Sequence, residues 1–156
     1  MRHPRGRSVP PANAFETSRR SGGICFGALA AALASAVKYP PVGQRGLDGA
    51  SLDNDFYLHG TATYTAEANK ETFLIVQIET PESLSNIEAI AATPGVDGLF
   101  IGPGDLSLRL ECALDWTHPK MAAAQDVVAA AAAKNNIAWG HPAGTPEQIA
   151  AMAKKG

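Results

Sequence analysis

The stretch FLIVQIETPESLSNIEAIAATPGVDGLFIGPGDLS, residues 73–107, decides the fold. It opens with Phe73-Leu74-Ile75-Val76-Gln77-Ile78, a short and almost continuous run of strand-forming apolar residues, the pattern of a parallel strand buried on both faces. Thr80-Pro81-Glu82 then reads as a helix start. A hydroxyl N-cap is followed by proline at the first helical position, where no N–H is needed, and by an acid at the positive end of the helix dipole. Leu84, Ile87, Ile90 and Ala91 recur at helical spacing and give that helix one buried stripe. Pro94-Gly95 stops it, and Val96-Asp97-Gly98-Leu99-Phe100-Ile101 is a second buried strand closed by Gly102-Pro103-Gly104.

Toward the C-terminus the same grammar continues. An alanine-rich helix over residues 119–134 leads to a third strand, Ile137-Ala138-Trp139, and Thr145-Pro146-Glu147 repeats the helix start seen at Thr80. Strands alternating with helices make the chain α/β, with a parallel sheet and right-handed crossovers, either a barrel or a doubly wound sheet. In both folds ligands gather at the carboxyl ends of the strands.

Toward the N-terminus the pattern thins. Residues 27–37 read as a helix ended by Tyr39-Pro40-Pro41. Residues 42–66 show no sustained period and read as a loop of roughly twenty-five residues, long for a compact domain. Residues 1–23 carry Arg2, Arg5, Arg7, Arg19 and Arg20 against the single acid Glu16, with Pro4, Pro10 and Pro11 among them, and are expected to be a disordered basic tail. An organellar transit peptide is the alternative reading, although the prolines oppose the amphipathic helix it needs. Residues 24–37 imitate the apolar core of a secretory signal ending in Ala34-Ser35-Ala36; removal of the first 36 residues is the corresponding alternative, and an alanine-rich buried helix the preferred reading. The run falls short of the about 20 apolar residues that a membrane span requires. One folded domain, residues 24–156, is therefore expected.

Bulk composition narrows the partner. With 46% hydrophobic and 18% charged residues in 156, the chain has the make-up of a globular domain. A formal net charge of −2 supplies no field for gathering phosphates, so a small molecule is expected rather than nucleic acid or a membrane. Cys25 and Cys112 are far apart and form neither a disulfide framework nor a zinc motif.

The chemistry sits at two strand ends. Gln77 and Glu79 are two apart on a strand and point to the same side. Asp105 lies just past the end of the next strand, and neighbouring parallel strands are about 4.8 Å apart. Two converging carboxylates form an oxygen-rich site for a hard divalent ion, Mg²⁺, Mn²⁺ or a similar ion, without which they would repel each other. Taken singly, Glu79 also reads as a solvated strand-end charge and Asp105 as an N-cap for a turn over residues 106–108.

VQIET (residues 76–80), GVDGLFIGPGDLS (residues 95–107) and YPPVGQRG (residues 39–46) together resemble the HpcH/HpaI aldolase family of class II, metal-dependent pyruvate aldolases. The resemblance runs from about Ala28 to Gly156 and implies a partial (β/α)₈ barrel with about three β/α units. It implies that Glu79 and Asp105 hold the metal, with Co²⁺ beside Mg²⁺ and Mn²⁺ as choices. Gln77 would contact the pyruvate side of the substrate, and the backbone at Gly104 its carboxylate. Glycine at 104, in place of alanine, is a mild departure. The implied function is a lyase chain for pyruvate or 2-oxo acid enolate chemistry, cleaving the C–C bond of 4-hydroxy-2-oxo acids into a 2-oxo acid and an aldehyde.

The family's base, a histidine in a D-x-E-H-G motif, and its substrate arginine belong to a front half of the barrel that is not found here; no catalytic residue is identified. His3 and His59 fall in the tail and the long loop, His118 at a helix start, and His141 after the third strand, where a locally bonded loop histidine is the favoured reading. Trp139 is expected in the core, Arg45 as a loop-fixing residue near the site, Arg109 at the surface, and Lys38 with the other lysines as helix-end or surface charges. The alternative function is a truncated, non-catalytic remnant that at most binds metal or a partner chain. Family members are oligomeric, and a cytoplasmic location is expected.

Overall fold

A computed structural model describes residues 26–48, 52, 56, 58, 63–112 and 114–156. The basic tail, Cys25, His59 and the middle of the long loop, apart from residues 52, 56 and 58, lie outside the described residues. The order of elements is α1 (Phe26–Val37), α2 (Tyr64–Glu71), β1 (Ile75–Ile78), α3 (Pro81–Ser85), α4 (Ile87–Ala91), β2 (Gly98–Ile101), α5 (Pro103–Arg109), α6 (Pro119–Asn135), β3 (Ala138–Gly140) and α7 (Pro146–Ala153). The strands form one parallel sheet in the order β1-β2-β3. The register sets Ile75 opposite Gly98 and Ile78 opposite Ile101, so β1 and β2 end level with each other.

Both helix starts marked by Thr-Pro-Glu are present. The Thr80 hydroxyl accepts from the Ser83 N–H at 3.0 Å while the Ser83 hydroxyl accepts from the Thr80 N–H at 3.2 Å, a reciprocal capping box. Thr145 accepts from the Gln148 N–H in the same way. The single helix expected after Thr80 is instead two. Asn86 returns its side chain to the Glu82 carbonyl at 2.8 Å and leaves helical geometry at φ −108° and ψ 13°, which parts α3 from α4. A short helix, α2, stands where the sequence showed no continuous pattern.

The core lies between the sheet and α1, α4 and α6. Ile78, Leu99, Ile101, Leu106, Met121 and Val128 are fully buried, with Ile87, Ile90 and Ala91 around them. Residues 26–37 form α1, which buries Ala30 and Ala34 as an alanine-rich packed helix would.

Burial of β1 on both faces is not what forms. Val76 and Ile78 turn toward the helices, whereas Ile75 is half-exposed and Gln77 exposed, because β1 is an edge strand whose other face no described element covers. Phe73 stands outside the strand altogether, 69% exposed. Both strands start later than expected because Asp97 gathers their approaches. Its carboxylate accepts from the Leu74 N–H at 2.8 Å, and its own N–H donates to the Leu74 carbonyl at 2.9 Å.

Lys38 is the clearest correction to the surface assignments. Only 6% exposed, it donates to the carbonyls of Asn69, at 3.1 Å, and Thr72, and lies 3.8 Å from the Asp97 carboxylate. Tyr39 and Asn69 exchange hydrogen bonds of 2.7 and 2.9 Å, and the Arg45 guanidinium lies 4.7 Å over the Tyr39 ring. The YPPVGQRG turn is thus clamped to α2 at the amino ends of the strands. Arg45 packs on this turn, but at the end of the sheet opposite residues 102–105 and not near the site as expected, because the turn is held to α2 through Tyr39 and Asn69.

Candidate active site

At the carboxyl ends of β1 and β2, three chain segments meet. Gln77 and Glu79 do share a side: the Gln77 amide Nε2 donates to the Glu79 carboxylate Oε2 at 2.6 Å. The Gly102 N–H donates to the Ile78 carbonyl at 3.0 Å and extends the β1–β2 ladder to the level of Glu79. Gly102 must be glycine for this packing. A Cβ there would lie 2.7 Å from Gln77 Nε2 and 3.2 Å from both Cβ and Oε2 of Glu79. At Gly104 a Cβ would meet nothing within 4 Å, so the backbone there faces open space.

Asp105 lies in the first turn of α5, not at its N-cap, which is Gly102. The physical reason is Pro103: its fixed φ starts the helix three residues earlier than a cap at 105 allows. Leu106 and Ser107 are fully buried and fix the helix, which leaves Asp105 on its exposed side with 58% of its side chain accessible.

Arg109 is at the surface as expected, with 43% of its side chain accessible, but it also reaches into the site, a role that sequence reasoning missed. Its Nη1 donates to the Glu79 carbonyl at 2.9 Å and lies 3.2 Å from Asp105 Oδ1, joining the two carboxylate-bearing segments. The signal was present as the i, i+4 spacing of Asp105 and Arg109 within one helix.

The histidines stay apart from this cluster. His118 caps α6, accepting from the Lys120 N–H at 3.2 Å. His141 Nδ1 lies 2.6 Å from the Pro142 carbonyl and its Nε2 3.4 Å from the Gln125 amide nitrogen, an arrangement satisfied by the neutral tautomer with Nδ1–H donating and Nε2 accepting. Its ring meets Trp116 edge to face at 6.4 Å, and both residues line a cavity of about 240 Å³ with Gln125, Gln148 and Met152. The locally bonded reading of His141 therefore holds. Trp139 packs against the core with its indole N–H lacking a hydrogen-bond partner among the described residues.

Among the described residues no three His, Cys, Asp or Glu side chains converge. Glu79 and Asp105 offer two carboxylates and no softer donor. That set fits a hard divalent ion as a partial sphere, completed by water or a substrate oxygen. Cys112, buried and not disulfide-bonded, takes no part. No helix of the described residues is long and apolar enough to cross a membrane.

Known proteins share this architecture. Residues 27–156 match the family model described as HpcH/HpaI aldolase/citrate lyase. A 5-keto-4-deoxy-D-glucarate aldolase of Klebsiella pneumoniae is 38% identical over 127 residues, which is 81% of this chain and 47% of the relative. A hydroxypyruvate/pyruvate aldolase of Chromohalobacter salexigens is 46% identical over 94 residues, covering 60% of this chain and 37% of that one. The crystal structure of an HpcH/HpaI aldolase from Desulfitobacterium hafniense superposes with a TM-score of 0.75 at 30% identity, over 85% of this chain and 51% of its own. The chain thus spans about half, or less, of the length of the proteins it matches.

Proposed function

Because the chain belongs to the HpcH/HpaI aldolase/citrate lyase family, we propose that it carries the metal-holding half of a 2-oxo acid lyase site. The reaction class is C–C cleavage of a 4-hydroxy-2-oxo acid, releasing pyruvate or a related 2-oxo acid and an aldehyde. The observation that carries the reading is that Arg109 bridges the Glu79 backbone carbonyl and the Asp105 carboxylate at the carboxyl ends of β1 and β2, beside the open backbone of Gly104.

Glu79 and Asp105 would hold the ion, Mg²⁺, Mn²⁺ or Co²⁺. When bound, a divalent ion supplies Lewis-acid polarisation of a 2-oxo group and charge to balance an enolate. The chain's own residues prepare the site. Gln77 fixes the Glu79 carboxylate through its 2.6 Å hydrogen bond and exposes the rest of its amide to a ligand on the open face of β1. The unobstructed backbone at Gly104 leaves room for a substrate carboxylate. Cleavage breaks C3–C4, leaves the electron pair on C3 as the enolate, and needs a base to take the C4 hydroxyl proton.

That last requirement supports a second reading. Neither described histidine outside the cluster is directed at it: His118 caps a helix and His141 is bonded to Pro142 and Gln125. A chain that binds metal, or a partner chain, without turning over substrate fits these contacts as well. Pyruvate release from a 4-hydroxy-2-oxo acid, followed with and without Mn²⁺, separates the two. Metal-dependent release abolished by Glu79→Gln supports the lyase; metal binding with no release overturns it for this chain and leaves the binding role.

A further inference from the structure

We propose that Arg109 is a positioning residue that acts as a built-in counter-ion to Asp105 and thereby weakens the site's hold on divalent cations. This rests on the metal reading of Glu79 and Asp105 above. The guanidinium lies 3.2 Å from Asp105 Oδ1 and is held there by its second bond, 2.9 Å to the Glu79 backbone carbonyl. That carbonyl belongs to the β1–β2 ladder region and does not move with the Asp105 side chain. Arg109 therefore has a tether that does not depend on Asp105, and a cation reaching Asp105 arrives next to a positive charge.

Two effects of removing Arg109 oppose each other. Loss of the tether would loosen the site; loss of the charge would raise the attraction of the two carboxylates for a cation. The tether is the smaller effect, because α5 is already anchored without it. Leu106 and Ser107 are fully buried, the Leu106 N–H donates to the Gly102 carbonyl at 3.0 Å, and the Ser107 hydroxyl donates to the Gly104 carbonyl at 3.0 Å. The charge effect is moderated by solvent, since 43% of the Arg109 side chain and 58% of that of Asp105 are accessible. A solvent-screened unit charge at this range changes an ion's affinity by roughly fivefold.

Mn²⁺ binding to the full chain, measured by electron paramagnetic resonance, tests this with wild type, Arg109→Gln, Arg109→Ala and Arg109→Lys. The neutral variants are expected to bind Mn²⁺ about fivefold more tightly, and Arg109→Lys within about twofold of wild type. The gain should shrink as ionic strength rises to about 0.5 M. Far-UV circular dichroism selects whichever neutral variant folds. Unchanged or weaker binding by a folded neutral variant overturns the counter-ion role and leaves the metal site standing. No Mn²⁺ binding by wild type, or binding that survives in Glu79→Gln and Asp105→Asn, overturns the metal reading and this inference with it.

Discussion

Gly102→Ala isolates the site from the fold. The backbone at 102 has φ −88° and ψ 87°, which alanine can adopt, so the effect of the substitution comes from the new methyl and not from strain. That methyl would sit 2.7 Å from Gln77 Nε2, too close to remain, and 3.2 Å from Glu79 Cβ and Oε2. The Gln77 amide is the flexible end of a side chain and can swing away. In doing so it gives up the 2.6 Å bond to Glu79, and Glu79 must retreat by a few tenths of an ångström. A solvent-exposed hydrogen bond to a carboxylate contributes about 1 kcal/mol. Its loss predicts Mn²⁺ binding weakened about fivefold. Alanine is also a poorer N-cap than glycine at the start of α5, a change of about 1 kcal/mol that lowers the melting temperature by about 2–4 °C. Mn²⁺ titration and a thermal melt on the same protein read both. Wild-type affinity in the folded variant would refute the role given to Gly102, and weakened binding only in a protein that has lost its fold would refute the separation of site from scaffold.

Lys38→Met leaves the carbonyls of Asn69 and Thr72 without their donor and is expected to destabilise the chain by about 2 kcal/mol, seen as a lower urea midpoint; an unchanged midpoint would mean the buried ammonium contributes nothing. Thr80→Ala removes the oxygen that accepts from Ser83 and half of the capping box, an expected loss of about 1 kcal/mol by the same measurement. Asp115 has its pKa held below the ordinary carboxylate value by the Thr117 hydroxyl first, then by the Thr117 N–H and the nearby His118. Depression in the folded state means the stabilisation is present above the ordinary value of 3.8 and is lost as pH falls through the lower folded value. A carbon-detected NMR titration should show Asp115 moving up toward 3.8 in Thr117→Val, and an identical titration in wild type and variant would contradict the cause.

The sequence made the turn chemistry readable because each signal was local. Thr80 and Thr145 cap helices within three residues of themselves, and Gln77 and Glu79 share a side by strand alternation alone. What it could not show depends on distant chain. Ile75 has the composition of a buried strand residue but lies on an edge strand, so its exposure is a property of the sheet and not of the residue. Lys38 looks like a helix-end charge until α2 brings the Asn69 and Thr72 carbonyls to it, over thirty residues away. Arg109 was hidden in a similar way: its spacing from Asp105 was visible, but its bond to the Glu79 carbonyl links positions 30 residues apart. The break at Asn86 is local and was nonetheless missed, because Ser83, Ser85 and Asn86 return their side chains to helix carbonyls while the apolar spacing of Leu84, Ile87 and Ile90 continues as if one helix ran through.

Glu79 and Asp105 are proposed to hold one divalent ion between them. Isothermal titration of Mn²⁺ into the chain, into Glu79→Gln and into Asp105→Asn tests it most directly. One site per chain, lost in either variant while both keep the wild-type circular dichroism spectrum, is the predicted result; stoichiometric binding that persists in both folded variants would contradict it.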